Sequence, residues 1–550
     1  MSAIRIAIIG GGVSGLSAAY ELAQAAKNKK QKMDITIYEK NSALGGNANT
    51  VAFSLGYKKG VPSSDNNINY IRWADLGVND INLTVYKNVR QVMKTIGYLD
   101  DENQNLLPLE NTECYFTLDG KTTLTGDADL QQGVVDHRYS LQHVESGYLE
   151  KFIELLNEAA IKAIYPNGQE AEEDLEITCS DFFNACAWRP KEKLEAFAKT
   201  KKWYKESDWN DEDWIKKAKS WVRQLRDHVF YARISAMYFT NDAGPEKMLL
   251  AAPFKYYMLQ EGITAGESDE EKEAADRRYF VGGSQRWLEY LADYLTKTLS
   301  ADSDNINISL VEGEASLTAK KDGVDVATKN YMASFDYGVV TTHANDALRL
   351  LDFQQAEARQ QAEVESILSS ISYTTSVAVC HNWSGVLPPN RNTWRTYNVL
   401  IRQGACLKPY SMTYVCNRHQ NDVNDPNYNL SGLPQFFVTL NPQVPIPDES
   451  VLRKVPKSLI PDDVLRVLPK ETINNIDRTE LGGDRAIAYF NHNLIDKPCF
   501  LAQRALVDYH ASLPRLYFGG GWSHGSGLHE ECWLQAKRIA SHVFKHIESA

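Results

Sequence analysis

The hydrophobic pattern at the start of the chain predicts a strand, a helix and a second strand. Residues 4–9 (IRIAII) form a continuous apolar run, which is typical of a buried parallel strand. The next segment repeats apolar residues at helical spacing, and DITIYE (34–39) follows a lysine-rich turn. Such short connections predict a doubly wound, mainly parallel sheet.

A similar pattern of predicted buried strands and helices returns at two later places in the chain. NISLVEG, VDVAT and YGVVTTH predict strands, and the preceding YFVGGSQRWLEYLADYL predicts a turn followed by a helix. Near the end, RLYFGGG predicts a buried strand that enters a glycine turn and a final helix. We therefore expect one Rossmann-like domain built from three segments, namely 1–78, 278–353 and 485–550.

The remaining segments predict a second domain of mixed α+β structure. Residues 79–277 have a largely helical pattern with many aromatics, and 187–222 has the character of a helical insertion. Residues 354–484 include the strand-like SYTTSVAVCHNW and QFFVTLNP. In the insertion, Trp214, Trp221 and their apolar neighbours favour a helix packed on this domain over docking to a membrane surface. The predicted fold class is α/β, with the two domains interleaved along the chain.

Charge and composition narrow the function classes. The 550 residues carry a formal net charge of -12, which argues against nucleic acid as a partner. No apolar run approaches the ~20 residues that cross a bilayer, and no leader precedes the first strand, so we expect a cytoplasmic protein. The eight cysteines show no CxxC pair or zinc-like spacing, so no metal is expected. The sequence leaves open whether the protein forms a homo-oligomer.

A glycine motif lies where the first strand becomes a helix. Gly10, Gly12 and Gly15 form GxGxxG around Val13 and Ser14. In a dinucleotide site the first glycine permits a tight turn, the second lets the backbone approach a diphosphate, and the third lets helix and strand pack closely. The diphosphate then lies at the helix N-terminus, where unpaired amides favour negative charge. The motif in this context predicts dinucleotide binding.

The residues after the second strand favour FAD over NAD. Glu39 ends that strand and is placed to accept hydrogen bonds from ribose hydroxyls, with Lys40 directly after it. A second glycine pair, Gly45 and Gly46, comes soon afterwards and is followed by Asn47. Two glycines so close to the acidic residue would let a loop fold back over the diphosphate and the ribityl chain. The alternative is a purely structural turn.

Several stretches resemble the flavin-containing amine oxidase superfamily. They are LGGNANTV, RYFVGGSQRWLEYL, VVTTHANDALRLL, FFVTLNP and FGGGWSHGSGLHEECWLQA, and they occur in the order that the superfamily requires. Within that group the sequence is most similar to a bacterial branch described only as NAD/FAD-binding oxidoreductases. The resemblance implies a two-domain fold, FAD as cofactor, and redox chemistry on a small organic substrate.

The resemblance also implies roles for residues outside the first motif. The strand SLVEGEASL would meet the adenine through the backbone of Glu314 or Ala315. The turn with Gly520 and Gly521 would lie beside the ribityl chain of the flavin. Other implied cofactor-site positions are at the start of the final helix and in DLGVND, namely Leu528, His529, Asp75 and Gly77.

The sequence departs from the superfamily at four positions. Asn47 replaces a common Arg, and Gly521 replaces an acidic residue. The segment SYTTSVAV has no Lys where amine oxidases place one near flavin N5, and Leu528 stands where they place a Tyr. The first two changes make FAD binding less conventional, and the last two favour an apolar or unsaturated substrate over a simple amine.

The catalytic residue is left open by the sequence. His524 and His529 flank the glycine turn, and each is a candidate either for a general base or for a hydrogen bond at the helix start. The main prediction is hydride transfer from a substrate carbon to flavin N5. A redox-neutral double-bond isomerase of fatty acids is an alternative, and a non-catalytic flavin-binding partner protein is an alternative of another class.

Overall fold

The described strands and helices run from residue 4 to residue 549. The computed structural model describes residues 3–57, 69–100, 104–120, 123–125, 177–188, 226–238, 240, 244–253, 275–301, 305–355, 358–401, 410–420, 435–453 and 485–549, with single residues between 212 and 223. The strands are β1 (Ile4–Ile9), β2 (Met33–Glu39), β3 (Thr50–Tyr57), β4 (Asn69–Asp75), β5 (Asp80–Asn82), β6 (Leu106–Pro108), β7 (Glu113–Phe116), β8 (Thr123–Thr125), β9 (Arg277–Phe280), β10 (Ile306–Glu312), β11 (Ala315–Lys320), β12 (Gly323–Thr328), β13 (Met332–Phe335), β14 (Tyr337–Val340), β15 (Leu351–Gln355), β16 (Tyr373–His381), β17 (Tyr397–Leu400), β18 (Ser411–Val415), β19 (Phe437–Leu440), β20 (Ile487–Asn493) and β21 (Leu516–Phe518). The helices are α1 (Val13–Lys29), α2 (Lys87–Thr95), α3 (Cys179–Trp188), α4 (Tyr231–Tyr238), α5 (Gly244–Lys247), α6 (Gln285–Asp293), α7 (Ala344–Leu350), α8 (Ala358–Ser369), α9 (Cys416–His419), α10 (Lys497–Ala511) and α11 (His529–Ser549), with π-helical turns at Arg226–Phe230 and Tyr294–Leu299.

A parallel sheet of five strands forms the first domain, in the order β10-β2-β1-β14-β21. Its central strands, β1 and β14, are nearly continuous apolar runs because both faces of the sheet are covered, one by α1 and α11 and the other by the small sheet of β11 to β13. On one face α1 packs against α11, and the rings of Tyr20 and Trp533 meet edge to face with centroids 5.5 Å apart. Strands that lie far apart in the chain pair here, as in Ile8 opposite Val339. The Rossmann-like prediction is confirmed.

The second large sheet has seven strands in the order β20-β16-β19-β18-β17-β7-β8. Most neighbours are antiparallel, but β17 and β7 run parallel. The predicted start of the last cofactor-domain segment, at residue 485, does not match this topology, because β20 pairs with β16 as far as Asn493. The structure of residues 80–275 also differs from the largely helical pattern that the sequence predicted. The strands β5 to β9 lie within this range or next to it.

Three smaller sheets complete the described topology: β13-β12-β11-β15, the hairpin β3-β4, and β5-β9-β6. Most of the predicted insertion at 187–222 lies outside the described residues, although Val222 is buried there as its apolar pattern suggests. Within the described part, no helix is long and apolar enough to cross a bilayer.

Candidate cofactor and substrate site

A cavity of about 780 Å³ lies between the two large sheets. One side is formed by the carboxyl ends of the parallel strands, where ligands bind in open α/β sheets. The predicted residues that line it are Gly10, Gly12, Val13, Ser14, Glu39, Lys40, Gly45, Gly46, Asn47, Gly77, Glu314, Ala315, Gly521, Leu528 and His529. Four other predicted residues, Gly15, Asp75, Gly520 and His524, are not part of its lining.

The first glycine turn has the geometry that the motif predicts. Gly10 has a φ of +116°, which favours glycine. A Cβ on Gly15 would lie 1.9 Å from the carbonyl oxygen of Gly10, so this glycine lets helix and strand touch. Gly12 is different, because the nearest atom to its missing Cβ is 3.8 Å away, in Gly46. Protein packing therefore does not require glycine at position 12, and its missing side chain leaves open space.

The second glycine pair folds back on the first turn. The amide of Gly45 donates to the carbonyl of Gly11 at 3.1 Å, and Gly12 and Gly45 form an isolated β-bridge. Gly46, with a φ of +60°, then faces Gly12. The two loops form a narrow backbone cradle at the N-terminus of α1.

Glu39 is held at the edge of this cradle by two backbone amides. Its Oε2 accepts from Gly11 at 2.8 Å and its Oε1 accepts from Asn41 at 2.9 Å. These contacts fix the carboxylate at the end of β2, and each oxygen can accept a further hydrogen bond. Glu39 is thus an oriented acceptor facing the cavity.

Asp75 and Gly77 support the second glycine loop. A Cβ on Gly77 would lie 1.9 Å from the carbonyl oxygen of Asn47, so glycine is required where the two segments touch. Asp75 is buried behind them, where its Oδ1 accepts from Thr50 Oγ1 at 2.6 Å and from the Ser284 amide at 2.9 Å. Burial raises the pKa of Asp75 to about 7. Asp75 therefore positions the loop from behind.

Acidic residues organise the turn between Gly521 and α11. Oε2 of Glu531 accepts from the amides of Ser526 and Leu528 at 2.8 and 3.0 Å. Glu530 instead accepts from the amide of Val89 at 3.1 Å, at the start of α2. Glu531 therefore satisfies two amides of the turn itself, and Glu530 satisfies an amide at the start of α2.

The two candidate histidines have different surroundings. His529 lines the cavity at the start of α11, and its ring lies 5.6 Å from that of Trp287. Burial lowers the pKa of His529 to about 4, so the imidazole is neutral at neutral pH. His524 Nδ1 lies 3.2 Å from Nη1 of Arg538, away from the cavity. Of the two candidates, only His529 faces the site.

The wall opposite the glycine loops comes from elements whose role the sequence did not indicate. On the seven-stranded sheet, Tyr397 pairs with Tyr414, and both line the cavity. Tyr238 of α4 lines it as well, and its hydroxyl is 3.0 Å from Oγ of Ser526. Aromatic side chains thus surround the site although Leu528 is aliphatic. Their sequence neighbourhoods carry no motif that could have revealed them.

The segment SYTTSVAV, which lacks the Lys that amine oxidases carry near flavin N5, forms most of β16 and lies behind the cavity wall. No residue of β16 is among the lining residues; Phe490 of the neighbouring β20 lines the cavity and pairs with Ser376 of β16. β20 (IAYFNHN) also contains no Lys. The absence of a Lys from SYTTSVAV is therefore not a property of the cavity lining.

Comparisons with known proteins agree with this architecture. A family model described as an NAD(P)-binding Rossmann-like domain matches residues 8–96. No curated protein matches the sequence. Among solved structures, a cyclohexylamine oxidase from Brevibacterium oxydans IH-35A has a TM-score of 0.52 at 13% identity, covering 100% of both chains. The chain has the amine-oxidase-like two-domain fold.

Two further structures share the amine-oxidase-like fold. A fatty acid isomerase from P. acnes that produces CLA has a TM-score of 0.51 at 15% identity, covering 98% of this chain and 99% of its own. A provisionally assigned protoporphyrinogen oxidase from Exiguobacterium sp. 255-15 has a TM-score of 0.50 at 14% identity, covering 100% of both chains. The same fold therefore accompanies different named activities, and residues of the site must decide between them.

Proposed function

We propose that this protein is an FAD-dependent oxidoreductase that removes a hydride from a carbon of a small organic substrate. One observation carries the proposal: the backbone cradle at the strand ends opens into a cavity that continues to the face of the second sheet. A cofactor held in the cradle would therefore share one continuous space with a substrate held against the sheet.

The residues of the cradle fit the ADP half of FAD. Gly12 and Gly46 leave space for a diphosphate, and the first turn of α1 contains no acidic residue that would repel it. Glu39 offers carboxylate oxygens for ribose hydroxyls. The residues that would hold the cofactor are Gly10, Gly12, Val13, Ser14, Gly15, Glu39, Lys40, Gly45, Gly46, Asn47, Gly77, Ala315, Gly520, Gly521, Leu528 and His529, with Asp75 supporting the loop.

When bound, FAD supplies the hydride acceptor, and the protein supplies orientation and exclusion of water. The N-terminus of α11 would favour negative charge beside it by about 0.3–1 kcal/mol. His529 stays neutral at neutral pH, and its low pKa makes it a weak proton acceptor. The assignment of His529 as a hydrogen-bonding group is therefore better supported than its assignment as a general base.

The substrate that we propose has an apolar or unsaturated carbon segment. Apolar side chains line the cavity from several elements, including Val399, Met412, Phe490, Met237 and Leu528. Contact with such side chains stabilises a hydrocarbon segment by about 25 cal/mol per Å² of buried apolar surface. A simple primary amine would gain little from them.

The visible spectrum of the purified protein tests the cofactor first. We expect a yellow protein that releases FAD, and neither FMN nor NAD, on denaturation. A colourless protein that binds NAD tightly would contradict the proposal. Anaerobic addition of unsaturated long-chain acids, alcohols and amides should then bleach the flavin where small amines do not. Turnover of an unsaturated compound without net bleaching would favour the double-bond isomerase, and a bound flavin that nothing reduces would favour a partner protein.

Leu528 provides a test of the substrate class. A tyrosine at this position would crowd the apolar part of the cavity, so Leu528→Tyr should lower kcat/KM for the apolar substrate by about tenfold or more. The rate is divided by the FAD content, which the absorbance spectrum measures, because Leu528 is also among the residues that would hold the cofactor. Rapid flavin reduction by a primary amine in the unmodified protein would overturn this substrate class.

A further inference from the structure

The hydroxyl of Tyr397 lies in the cavity wall and is held there by an acidic residue. It donates to Oδ2 of Asp80 at 2.6 Å, and the same carboxylate is ion-paired with Arg277. All three residues line the cavity. Tyr397 is 7% exposed, and the side chains of Asp80 and Arg277 are each 8% exposed. The hydroxyl end of Tyr397 is therefore a buried and fixed part of the wall.

The direction of this hydrogen bond follows from the chemistry of its partners. A carboxylate accepts hydrogen bonds and donates none, so the single proton of the tyrosine hydroxyl points to Asp80. Burial, together with the charge of Asp80, raises the pKa of Tyr397 well above its usual range, so the hydroxyl keeps this proton at neutral pH. Among the described residues the hydroxyl has no second hydrogen-bond partner. Its oxygen therefore offers the cavity a lone pair and no proton.

The neighbours of Tyr397 on this face of the sheet are apolar. Successive residues of a strand alternate between the two faces, so Tyr397 and Val399 of β17 lie on one face. Val399 pairs with Met412 of β18, and both of these residues line the cavity. A ligand on this face would therefore meet a hydrocarbon surface with a hydrogen-bond acceptor beside it.

The chain connects this acceptor closely to the second glycine loop. Asp80 follows Gly77 by three residues, and Gly77 touches the backbone of Asn47 in that loop. Three residues of extended chain span at most about 11 Å, which limits the distance between the backbones of Gly77 and Asp80. The Tyr397 hydroxyl, bonded to Asp80, therefore belongs to the part of the cavity near the cradle.

We propose that Tyr397 accepts a hydrogen bond from a hydroxyl group of the substrate, which is then an alcohol with an apolar carbon segment. This inference rests on the proposed function in taking the cavity to be the substrate site. A ketone or an ether would turn a lone pair toward the lone pair of Tyr397. A hydroxyl brings one proton, which this acceptor satisfies. An ammonium group would bring three, and those that found no acceptor beside Val399 and Met412 would lose their hydration without compensation.

Two uncharged ligands with the same carbon chain test the proposal: 2-octanol, which can donate a hydrogen bond, and 2-octanone, which can only accept one. Their dissociation constants for the purified protein, measured anaerobically by calorimetry and by the flavin difference spectrum, should favour 2-octanol by about tenfold. Equal or tighter binding of 2-octanone would overturn the proposal. Calorimetry does not depend on the flavin, so a colourless protein would contradict the proposed function and still leave this comparison valid.

Removal of the acceptor makes the test specific to one residue. Tyr397→Phe keeps the ring and deletes the oxygen, so it should weaken 2-octanol binding by about tenfold and should not weaken 2-octanone binding. The two ligands should then bind the variant within about twofold of each other. If the preference for 2-octanol survives in Tyr397→Phe, another group accepts the hydrogen bond and the proposal is wrong.

A tyrosine outside the cavity lining provides the matched control. Tyr115 of β7 donates to Oε2 of Glu113 at 2.8 Å, and Glu113 is ion-paired with Arg233. Tyr115 thus makes the same kind of hydrogen bond as Tyr397, but it does not line the cavity. Tyr115→Phe should leave both dissociation constants unchanged within about twofold. Equal effects of the two substitutions would indicate a general change in the sheet and would overturn the assignment of a local acceptor.

Discussion

Gly12 and Gly15 belong to one motif but meet different physical requirements. Gly12 has an extended backbone (φ -82°, ψ -174°) that any residue adopts, and nothing crowds its missing Cβ. We therefore expect Gly12→Val to fold but to bind no FAD, because the valine would fill the diphosphate space. Flavin content of the purified variant, together with its circular dichroism spectrum, measures both effects.

The control for Gly12→Val is the same change at Gly15. A side chain there would overlap the carbonyl of Gly10, so Gly15→Val should lose the native circular dichroism spectrum. Retention of FAD by Gly12→Val at dilute protein concentration would contradict the assignment of the cradle.

Asp75 gives a pH-dependent prediction. Burial raises its pKa to about 7, well above that of an unfolded aspartate, so its contribution to stability is present at low pH and is lost as the pH rises from about 4 to about 7. In Asp75→Asn the amide oxygen still accepts from Thr50 and Ser284, without the ionisation. The difference in free energy of unfolding between variant and wild type should shift in favour of the variant by on the order of 3 kcal/mol over this range. Denaturant unfolding at about pH 4.5 and 8 measures it, and an unchanged difference would show that Asp75 ionises normally.

Among the elements, the turn before α11 depends on Glu531. Its carboxylate accepts two amides of the turn, so Glu531→Ala leaves both without this acceptor and should destabilise the protein by about 1–3 kcal/mol. FAD affinity should fall as well, because Leu528 and His529 follow the turn directly. Chemical unfolding and the FAD dissociation constant are the measurements.

Glu548 is a matched control on the same helix. It is exposed and pairs with Lys29 at the protein surface, where ion pairs contribute little. Glu548→Ala should leave stability and FAD affinity nearly unchanged. A loss equal to that of Glu531→Ala would indicate a general effect on α11 and contradict the role of the turn.

Sequence patterns predicted those elements whose structure depends on residues that are close together in the sequence. Apolar runs gave the parallel strands, and the spacing of glycines gave the turn before α1, because both signals are local. Tyr238 and Tyr397 could not be predicted in the same way, since they approach the site only through tertiary packing. The position of Asp75 behind the loop likewise depends on Ser284, which is more than two hundred residues away.

At the scale of the whole molecule, cofactor binding should stabilise the folded protein, because the cavity lies between the two large sheets. A ligand that binds only the folded protein stabilises it by about 2.7 kcal/mol at a free concentration one hundred times its Kd. The unfolding midpoint should therefore rise with added FAD and stay constant with added FMN. Differential scanning fluorimetry of cofactor-depleted protein measures this, and an equal rise with both flavins would contradict recognition of the ADP half.

The strands of the parallel sheet come from the three segments with a Rossmann-like pattern, but β20, which the sequence assigned to the last of them, joins the other large sheet. β20 has the alternating burial of a sheet strand, and its sequence alone does not say which sheet it joins. Pairing with β16 places it in the second sheet, although α10 and β21 directly follow it. Register between distant strands decides such a boundary, and no local pattern encodes that register.

The parallel sheet has a consequence for synthesis on the ribosome. Its strands come from residues 4–39, 306–340 and 516–518, and α1 packs on α11 at the other end of the chain. β1 can pair at once with β2, but its other edge and the face of α1 that α11 covers stay unpaired until residues 337–340 and 529–549 have been synthesised. Such long-range pairing folds slowly and exposes aggregation-prone intermediates. Chaperones that cover apolar surface should thus raise the yield of folded protein, and FAD is expected to bind only after β21 and α11 have joined the sheet.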